Sequence, residues 1–93
     1  MIISNGDKDR KKIWEGERIK GMSTEIQEVS RRKLRMLNNS QDINVLQIPP
    51  SNRLEKLKGN LKEYYSIRIK SQWRIIFKWN NGNADQVEII DYH

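Results

Sequence analysis

The sequence is poor in the residues that hold metal ions and disulfides: it has no cysteine and one histidine, His93, among 93 residues. Without cysteine there is no disulfide framework and no thiolate metal site. A lone histidine with scattered carboxylates also lacks the ligand spacing of a zinc centre. We therefore predict a protein that holds no metal ion.

Long apolar runs are also missing. The longest lie within Arg74–Phe77 and Val87–Ile90, far short of the roughly 20 residues that cross a bilayer. The start, Met1–Ile3, turns polar at Ser4, which is too early for a signal peptide. No glycine-rich loop fits a phosphate-binding or dinucleotide fingerprint. These absences predict a cytoplasmic protein with no membrane segment and no cofactor.

What the sequence has in excess is positive charge. Lysine and arginine together number 18 against 12 acidic residues, which gives a net charge of +6 and a pI of about 9.8. Such a balance suits a polyanionic partner, whether nucleic acid, an acidic protein or an anionic membrane surface. With 35% hydrophobic residues, the chain is apolar enough to fold as one domain over residues 1–93.

Two helices are predicted in the first half of the chain. A short one covers Lys8–Glu15. A longer one opens at Thr24, which fits a capping box with Gln27 three residues later, and ends at Asn38–Ser40. It has apolar residues at helical spacing, and its basic residues lie toward the end, where they complement the helix dipole. A further turn over Asp42–Leu46 is a candidate third helix.

After Pro49–Pro50 the apolar residues alternate, as in strands. Alternation is clearest in Tyr65–Lys70 and Trp73–Trp79, and Asn80–Asn83 is a hairpin signal. The remaining predicted strands are Met1–Ser4, Arg53–Gly59, which is a strand or an extended arm, and Asp85–Asp91. This order predicts an α+β fold, with two or three N-terminal helices packed on one face of an antiparallel sheet of four to five strands.

Alternation along the two central strands divides their residues between two faces. The face predicted to meet the helices carries Tyr65, Ile67, Ile69, Trp73, Ile75, Phe77 and Trp79. The outward face carries Arg68, Lys70, Arg74 and Lys78, interspersed with Ser66 and Ile76. Like charges that lie close together repel each other, and a surface that tolerates this repulsion usually binds an anion. The pattern therefore favours a phosphate-binding groove, which Lys56 and Lys58 would extend. An ordinary solvated sheet face remains the alternative.

Two further groups allow both a structural and a functional interpretation. The long helix carries a basic run, Arg31, Arg32, Lys33 and Arg35. That run fits ordinary dipole and solubility chemistry, with an anionic partner as the alternative. His93 is either a frayed terminal residue or, if Asp91 and Tyr92 hold it on the sheet, a group that titrates near neutral pH and suits acid–base catalysis.

Four stretches of the second half form a pattern that reaches the last residue. They are Asn52–Gly59, Tyr65–Ile69, Gln72–Trp79 and Val87–His93. The helix segment Arg32–Asn38 fits the same pattern, and Met1–Ile2 and Trp14 agree with it more loosely. From about Gly21 to its end, the chain resembles the HigB toxins, the plasmid maintenance system killer branch of the RelE/ParE superfamily. A tryptophan–arginine strand joined to a terminal Asp-Tyr-His is the most specific part of the resemblance.

The resemblance implies both a fold and an activity. HigB toxins pack two helices on a curved antiparallel sheet, enter the 30S A site of the ribosome and cut translated mRNA there without a metal ion. A helix-turn-helix antitoxin, HigA, neutralises the toxin, and the complex of the two binds operator DNA. We therefore expect a type II toxin that is a metal-independent endoribonuclease, with the ribosome, mRNA and a HigA-like antitoxin as partners.

Cleavage by 2′-OH attack needs a base for the hydroxyl proton, cations for the growing phosphate charge and an acid for the leaving 5′-oxygen. The resemblance assigns these jobs to Arg74 as phosphate clamp, Lys58 as second cation, and Asp91, Tyr92 and His93 as a terminal cluster. Arginine suits the clamp because its planar fork binds two phosphate oxygens, and tyrosine can stack on a base. Histidine is the natural proton-transfer group. RNA binding is expected of Lys56, Arg68, Lys70 and Lys78.

One position departs from the family pattern. Where some HigB toxins carry a catalytic histidine, two residues before the second leucine of the arm, this sequence has Glu55. A carboxylate can act as a base, but it also places negative charge beside a phosphate, which Lys56 would offset. Alternatively, Glu55 is a surface partner of Lys56 or Lys58. The departure keeps one other function open, a weakened toxin that mainly binds its antitoxin. A protein-binding gyrase inhibitor of the ParE type is a separate alternative, and Arg74 with the terminal Asp91, Tyr92 and His93 favours the endoribonuclease over it.

Overall fold

The computed structural model describes Ile2, residues 21–70 and residues 72–91. Within these residues the strands form one antiparallel sheet in the order β1-β2-β3-β4. The elements are helix α1 (Thr24–Asn39) and strands β1 (Glu55–Lys56), β2 (Tyr65–Lys70), β3 (Trp73–Asn80) and β4 (Asn83–Asp91). Short 3-10 turns cover Ile43–Gln47, Pro50–Asn52 and Gly59–Leu61. The predicted α+β fold with an antiparallel sheet is confirmed.

The helix count over the described residues is lower than predicted, with one α-helix. The turn expected at Asp42–Leu46 is present as a 3-10 turn, and Asp42 caps it by accepting a hydrogen bond from the backbone N–H of Asn44 at 2.9 Å. The predicted helix Lys8–Glu15 lies outside the described residues. Of the predicted first strand, Ile2 is described, and it makes an isolated parallel bridge to Ala84.

The N-cap of helix α1 lies one residue earlier than the sequence suggested. Ser23 is the N-cap, and its hydroxyl accepts a hydrogen bond from the backbone N–H of Ile26 at 3.2 Å. The predicted capping box of Thr24 and Gln27 is therefore wrong. An N-cap residue keeps an extended backbone, which Ser23 does with φ −65° and ψ 155°, whereas Thr24 is already helical.

The other end of α1 also differs in part from the prediction. The helix ends at Asn39, as expected, and its last turn holds no basic residue. The basic run stops at Arg35, so it lies too far from the last turn to complement the helix dipole, an effect that fades within one turn. The predicted dipole role of this run is wrong.

The hydrophobic core lies between α1 and one face of the sheet. Leu34 and Leu37 of the helix have no exposed surface, and they belong to one cluster with Ile67, Ile75 and Phe77. Fully burying a side chain of this kind contributes about 1.5–3 kcal/mol. The predicted core face is confirmed: each of its seven strand residues is buried in the cluster or packs against it.

Two central positions on the opposite face are buried as well. Ser66 is 0% exposed and Ile76 is 2% exposed, and the two lie opposite each other in the pairing of β2 with β3. Ile76 is not part of the core cluster under the helix. The alternation assigned Ser66 and Ile76 to the outward face, but both are buried, so the centre of this face is not a simple solvated surface.

An irregularity near the end of β2 changes the face of Lys70. The register shifts between Arg68 and Lys70, so that Arg68 lies opposite Arg74 while Lys70 lies opposite Trp73. A one-residue slip moves a side chain to the other face of a sheet. Lys70 accordingly pairs with Glu25 at the start of α1, and the prediction that it shares a face with Arg68 and Arg74 is wrong.

The hairpin between β3 and β4 turns where the sequence predicted. Asn81 and Gly82 both have positive φ angles, 51° and 78°, which are the conformations that a two-residue turn of the I′ type requires. Strand β4 starts at Asn83, two residues before the predicted start. No helix within residues 21–70 and 72–91 is long and apolar enough to cross a membrane.

Candidate active site

Arg74 lies at the centre of the outward face of the sheet. It is on β3, opposite Arg68 of β2 and Ile90 of β4. Its side chain is 14% exposed. The Nη1 group donates a hydrogen bond to the hydroxyl of Ser66 at 3.2 Å and lies 3.8 Å from Oε2 of Glu55. An arginine that the sequence predicted as a phosphate clamp is thus held beside a neutral acceptor and a carboxylate.

Strand pairing explains how three residues from separate strands meet. Ser66 lies opposite Ile76, two residues along β3 from Arg74, and diagonal neighbours of this kind are within reach of long side chains. Glu55 lies opposite Ser66 on the other side, in β1. The guanidinium of Arg74 therefore reaches across β2 toward the sheet edge that Glu55 occupies.

Glu55 does not have the partner that one of its two alternatives, the surface ion pair, predicted. Its ion pair is with Arg74, so the prediction of a surface pair with Lys56 or Lys58 is wrong. Lys56 instead places its ammonium group 5.1 Å from the ring centre of Tyr65, on the other face. The Glu55 side chain is 55% exposed, and an ion pair of 3.8 Å at such exposure contributes little stability.

Lys58 lies in the loop that follows β1. A shallow pocket of about 270 Å³ is lined by Glu55, Lys56, Leu57, Lys58 and Leu61. Lys58 is exposed, and it makes no ion pair within the part of the chain that the structure describes. The pocket brings together three residues that the sequence assigned to the site: Glu55, Lys56 and Lys58.

The residues predicted to bind RNA divide between the two faces. Arg68 and Lys78 share the outward face with Arg74, whereas Lys56 and Lys70 pair with residues that pack on the core. The Lys78 ammonium group is 3.5 Å from Oε2 of Glu63 and 5.4 Å from the ring centre of Tyr64. The groove predicted from Arg68, Lys70, Arg74 and Lys78, with Lys56 and Lys58 extending it, therefore lacks Lys56 and Lys70.

The terminal cluster is described only at its first member. Asp91 lies opposite Trp73, so its backbone register places it on the core side of the sheet, while its neighbour Ile90 lies opposite Arg74. Tyr92 and His93 lie outside the described residues. The catalytic roles of all three residues stay predictions.

The basic run of α1 is not one continuous surface. Arg32 and Arg35 are exposed, but Lys33 turns toward the loop and donates a hydrogen bond to the side-chain oxygen of the buried Asn52. Burial lowers the pKa of Lys33 below its ordinary value, and the neighbouring charge of Arg32 lowers the pKa further. Lys33 is thus a structural link between helix and loop, which leaves fewer cations of this run facing outward.

Sequence reasoning missed two buried polar residues. Ser66 was assigned to an outward strand position but not to the site, and Asn52 was read only as part of the motif. The Asn52 amide group donates to the backbone oxygens of Leu46 and Ile48 at 3.1 and 3.3 Å. Alternation places Ser66 on the same face as Arg74, but their contact depends on the register shift between Arg68 and Lys70, which the sequence pattern did not predict. No sequence signal marks Asn52.

Comparison with known proteins places the chain in one family. Residues 5–93 match the family model described as the RelE-like toxin of the type II toxin–antitoxin system HigB. The chain is also 39% identical to Toxin HigB-1 of Vibrio cholerae over 85 residues, which is 90% of each chain. The chain belongs to the HigB toxin family. The resemblance that the sequence motifs carried is thereby confirmed.

Two other relatives of this HigB chain match over shorter lengths. An uncharacterized protein of Haemophilus influenzae is 38% identical over 68 residues, 73% of this chain and 66% of that one. A protein of Proteus vulgaris named Endoribonuclease HigB is 42% identical over 41 residues, 44% of this chain and 45% of that one. Membership of the family makes the chain a toxin of a type II toxin–antitoxin system, and such a toxin has an antitoxin as its partner.

Proposed function

We propose that this HigB toxin is a ribosome-dependent endoribonuclease that cuts translated mRNA in the 30S A site. The observation that carries the proposal is the position of Arg74 on the outward sheet face, where its Nη1 group donates a hydrogen bond to the Ser66 hydroxyl. A planar guanidinium binds two phosphate oxygens at once, which suits a group that must stabilise growing phosphate charge. The relative named Endoribonuclease HigB supports the same activity.

The proposed reaction is an attack of the ribose 2′-OH on the adjacent phosphorus, without a metal ion. The 2′-oxygen forms a bond to phosphorus, the bond to the 5′-oxygen breaks, and a 2′,3′-cyclic phosphate remains. We assign the phosphate charge to Arg74, with Lys58 as second cation, and the proton transfers to the terminal cluster of Asp91, Tyr92 and His93. Histidine is the natural member of that cluster for transfer near neutral pH.

Glu55 adds a feature of this chain's own to the proposed reaction. Its carboxylate lies within ion-pair distance of Arg74, so an RNA phosphate would compete with it for the same guanidinium. The pair is exposed on the Glu55 side and therefore weak, so a phosphate can displace the carboxylate. We propose that Glu55 slows RNA cleavage but does not prevent it.

The partners follow from the same proposal. A HigA-like helix-turn-helix antitoxin would neutralise the toxin, and operator DNA would be bound only by the complex of the two. The ribosome and mRNA would be met in the cytoplasm. The chain has 18 basic and 12 acidic residues, and the resulting net charge of +6 suits the polyanionic ribosome and mRNA.

The test is to map mRNA ends after brief, tightly controlled induction of the toxin. We expect new ends confined to translated codons, with 2′,3′-cyclic phosphates, and no cleavage of the same RNA when ribosomes are absent. Arg74→Ala should abolish most of the cleavage and the growth arrest while the protein stays folded. Intact mRNA together with a DNA-damage response would overturn the proposal in favour of a gyrase inhibitor of the ParE type. Toxicity without either response would point to a different target.

A further inference from the structure

Ser66 has an unusual environment for a serine. It is 0% exposed in the middle of β2, and its hydroxyl accepts a hydrogen bond from Nη1 of Arg74. Serine is mostly an exposed residue, and a hydroxyl without a partner is costly to bury. The Arg74 guanidinium therefore supplies the hydrogen-bond partner that the buried Ser66 hydroxyl needs. We propose that Ser66 is a positioning residue that holds the Arg74 guanidinium in the orientation needed to bind the scissile phosphate, an inference that rests on the proposed function of Arg74.

Arg74 needs such support because of its neighbours. Arg68 lies directly opposite it in the strand pairing, and two like charges at this spacing repel each other. A long arginine side chain also has several rotatable bonds whose freedom must be restricted before it can act as a fixed clamp. A hydrogen bond from Nη1 to a residue on the rigid strand β2 restricts that freedom.

The chemistry of the acceptor distinguishes Ser66 from Glu55. A hydroxyl is neutral, so it orients the guanidinium without cancelling its charge, whereas the Glu55 carboxylate opposes the charge that a phosphate would meet. The size of serine matters too, because Ser66 lies between Glu55 and Ile76 in the register of this face. A small side chain leaves room for the guanidinium to reach across β2 while it still offers an oxygen.

The first part of the test measures the orientation of Arg74 directly in the full-length chain. Side-chain ¹⁵Nε order parameters from NMR would be compared for the wild type, Ser66→Ala and Ser30→Ala, with the Arg74 signal assigned from its loss in Arg74→Ala. Ser30 is the matched control: it is also 0% exposed, and its hydroxyl bonds to the backbone oxygen of Ile26 in α1 at 2.7 Å. We expect the Arg74 order parameter to fall in Ser66→Ala and to stay unchanged in Ser30→Ala.

The second part measures single-turnover cleavage of mRNA on programmed ribosomes. Ser66→Ala should lower the rate about tenfold, the scale of one lost hydrogen bond to a charged group, and Ser30→Ala should change it less than about twofold. In the Arg74→Ala background, adding Ser66→Ala should change the residual rate by less than about twofold. A purely structural role of Ser66 would lower the rate equally in both backgrounds, since only an effect transmitted through Arg74 disappears with it.

Each result bears on one of two conclusions. Loss of Arg74 order together with a rate loss that depends on Arg74 supports the inference. An unchanged order parameter, an equal rate loss in both backgrounds, or a full cleavage rate in Ser66→Ala beside a slow Arg74→Ala enzyme would overturn it. A full rate in Arg74→Ala would instead remove Arg74 from the reaction. That result contradicts the proposed function, whether or not Ser66 is found to hold the guanidinium.

Discussion

Glu55 and Arg74 meet across an intervening strand: they belong to β1 and β3, with β2 between them, and Oε2 lies 3.8 Å from Nη1. The contact places a carboxylate of this chain where an RNA phosphate is proposed to bind. It also connects the one departure from the family pattern to the residue that carries the proposed chemistry.

Neutralising Glu55 should therefore strengthen RNA binding. In Glu55→Gln, the Glu55 carboxylate no longer competes with a phosphate for Arg74, so we expect several-fold tighter binding of a non-cleavable RNA at low salt. The slope of log affinity against log salt should steepen by up to about 0.7, the contribution of one extra phosphate contact on a single strand. Titrations at several salt concentrations would measure both quantities.

The control for that experiment is Glu28→Gln, which makes the same charge change at an exposed position of α1. It should leave the affinity within about twofold of wild type, because screening weakens distant exposed charges. A Glu55→Gln protein that binds RNA as before but cleaves it far more slowly would contradict competition and would make Glu55 a catalytic base.

The register shift between Arg68 and Lys70 in β2 leads to different expectations for these two residues. Lys70→Gln should leave RNA affinity nearly unchanged, because Lys70 pairs with Glu25 of α1, whereas Arg68→Gln should weaken binding and reduce the salt slope by about 0.7. The stability lost in Lys70→Gln should be at most about 1 kcal/mol, since both partners are largely exposed. Urea unfolding measures the stability of both variants, and RNA titration measures their affinity. Equal losses of RNA affinity in the two variants would show that Arg68 and Lys70 belong to one groove.

Asn52 should be a major source of stability for the loop between α1 and β1. Its amide donates to the backbone oxygens of Leu46 and Ile48, and its oxygen accepts from Lys33. Asn52→Ala leaves the buried backbone oxygen of Leu46 and the part-buried groups of Ile48 and Lys33 without this partner, so we expect a loss of about 1–3 kcal/mol in the free energy of unfolding. Asn60→Ala, at an exposed position, should cost less than about 0.5 kcal/mol. Equal losses in the two variants would contradict the role of Asn52.

Two glycines allow backbone strain to be separated from crowding. Gly59 and Gly82 both have positive φ angles, 68° and 78°, but an added Cβ meets open space at Gly59 and lies 3.1 Å from the backbone oxygen of Gln41 at Gly82. Gly59→Ala should therefore cost about 1 kcal/mol from the unfavourable φ alone, and Gly82→Ala should cost more. Denaturant unfolding of both variants measures the difference, and a smaller loss at Gly82 than at Gly59 would show that the contact is not tight.

Local patterns in the sequence were sufficient for several features. Alternation from Tyr65 to Trp79 predicted which strand residues form the core, and the asparagine–glycine pair at Asn81 predicted the hairpin. These predictions succeed because side-chain direction in a strand and turn geometry depend on residues close together in the chain. Motifs at Arg74 and around Lys58 also indicated the family, which the match over residues 5–93 confirms.

Tertiary structure decided the contacts that cross between strands. Lys70 changed faces because of a bulge that no residue pattern announces, and Lys33 turned toward Asn52, 19 positions away in the chain. The arrangement around Arg74 depends on the register of three strands at once, which brings Ser66 and Glu55 to the same guanidinium. A repeating pattern records the direction of each side chain along its own strand. Which partner it meets depends on register, and register is set only when the strands pair.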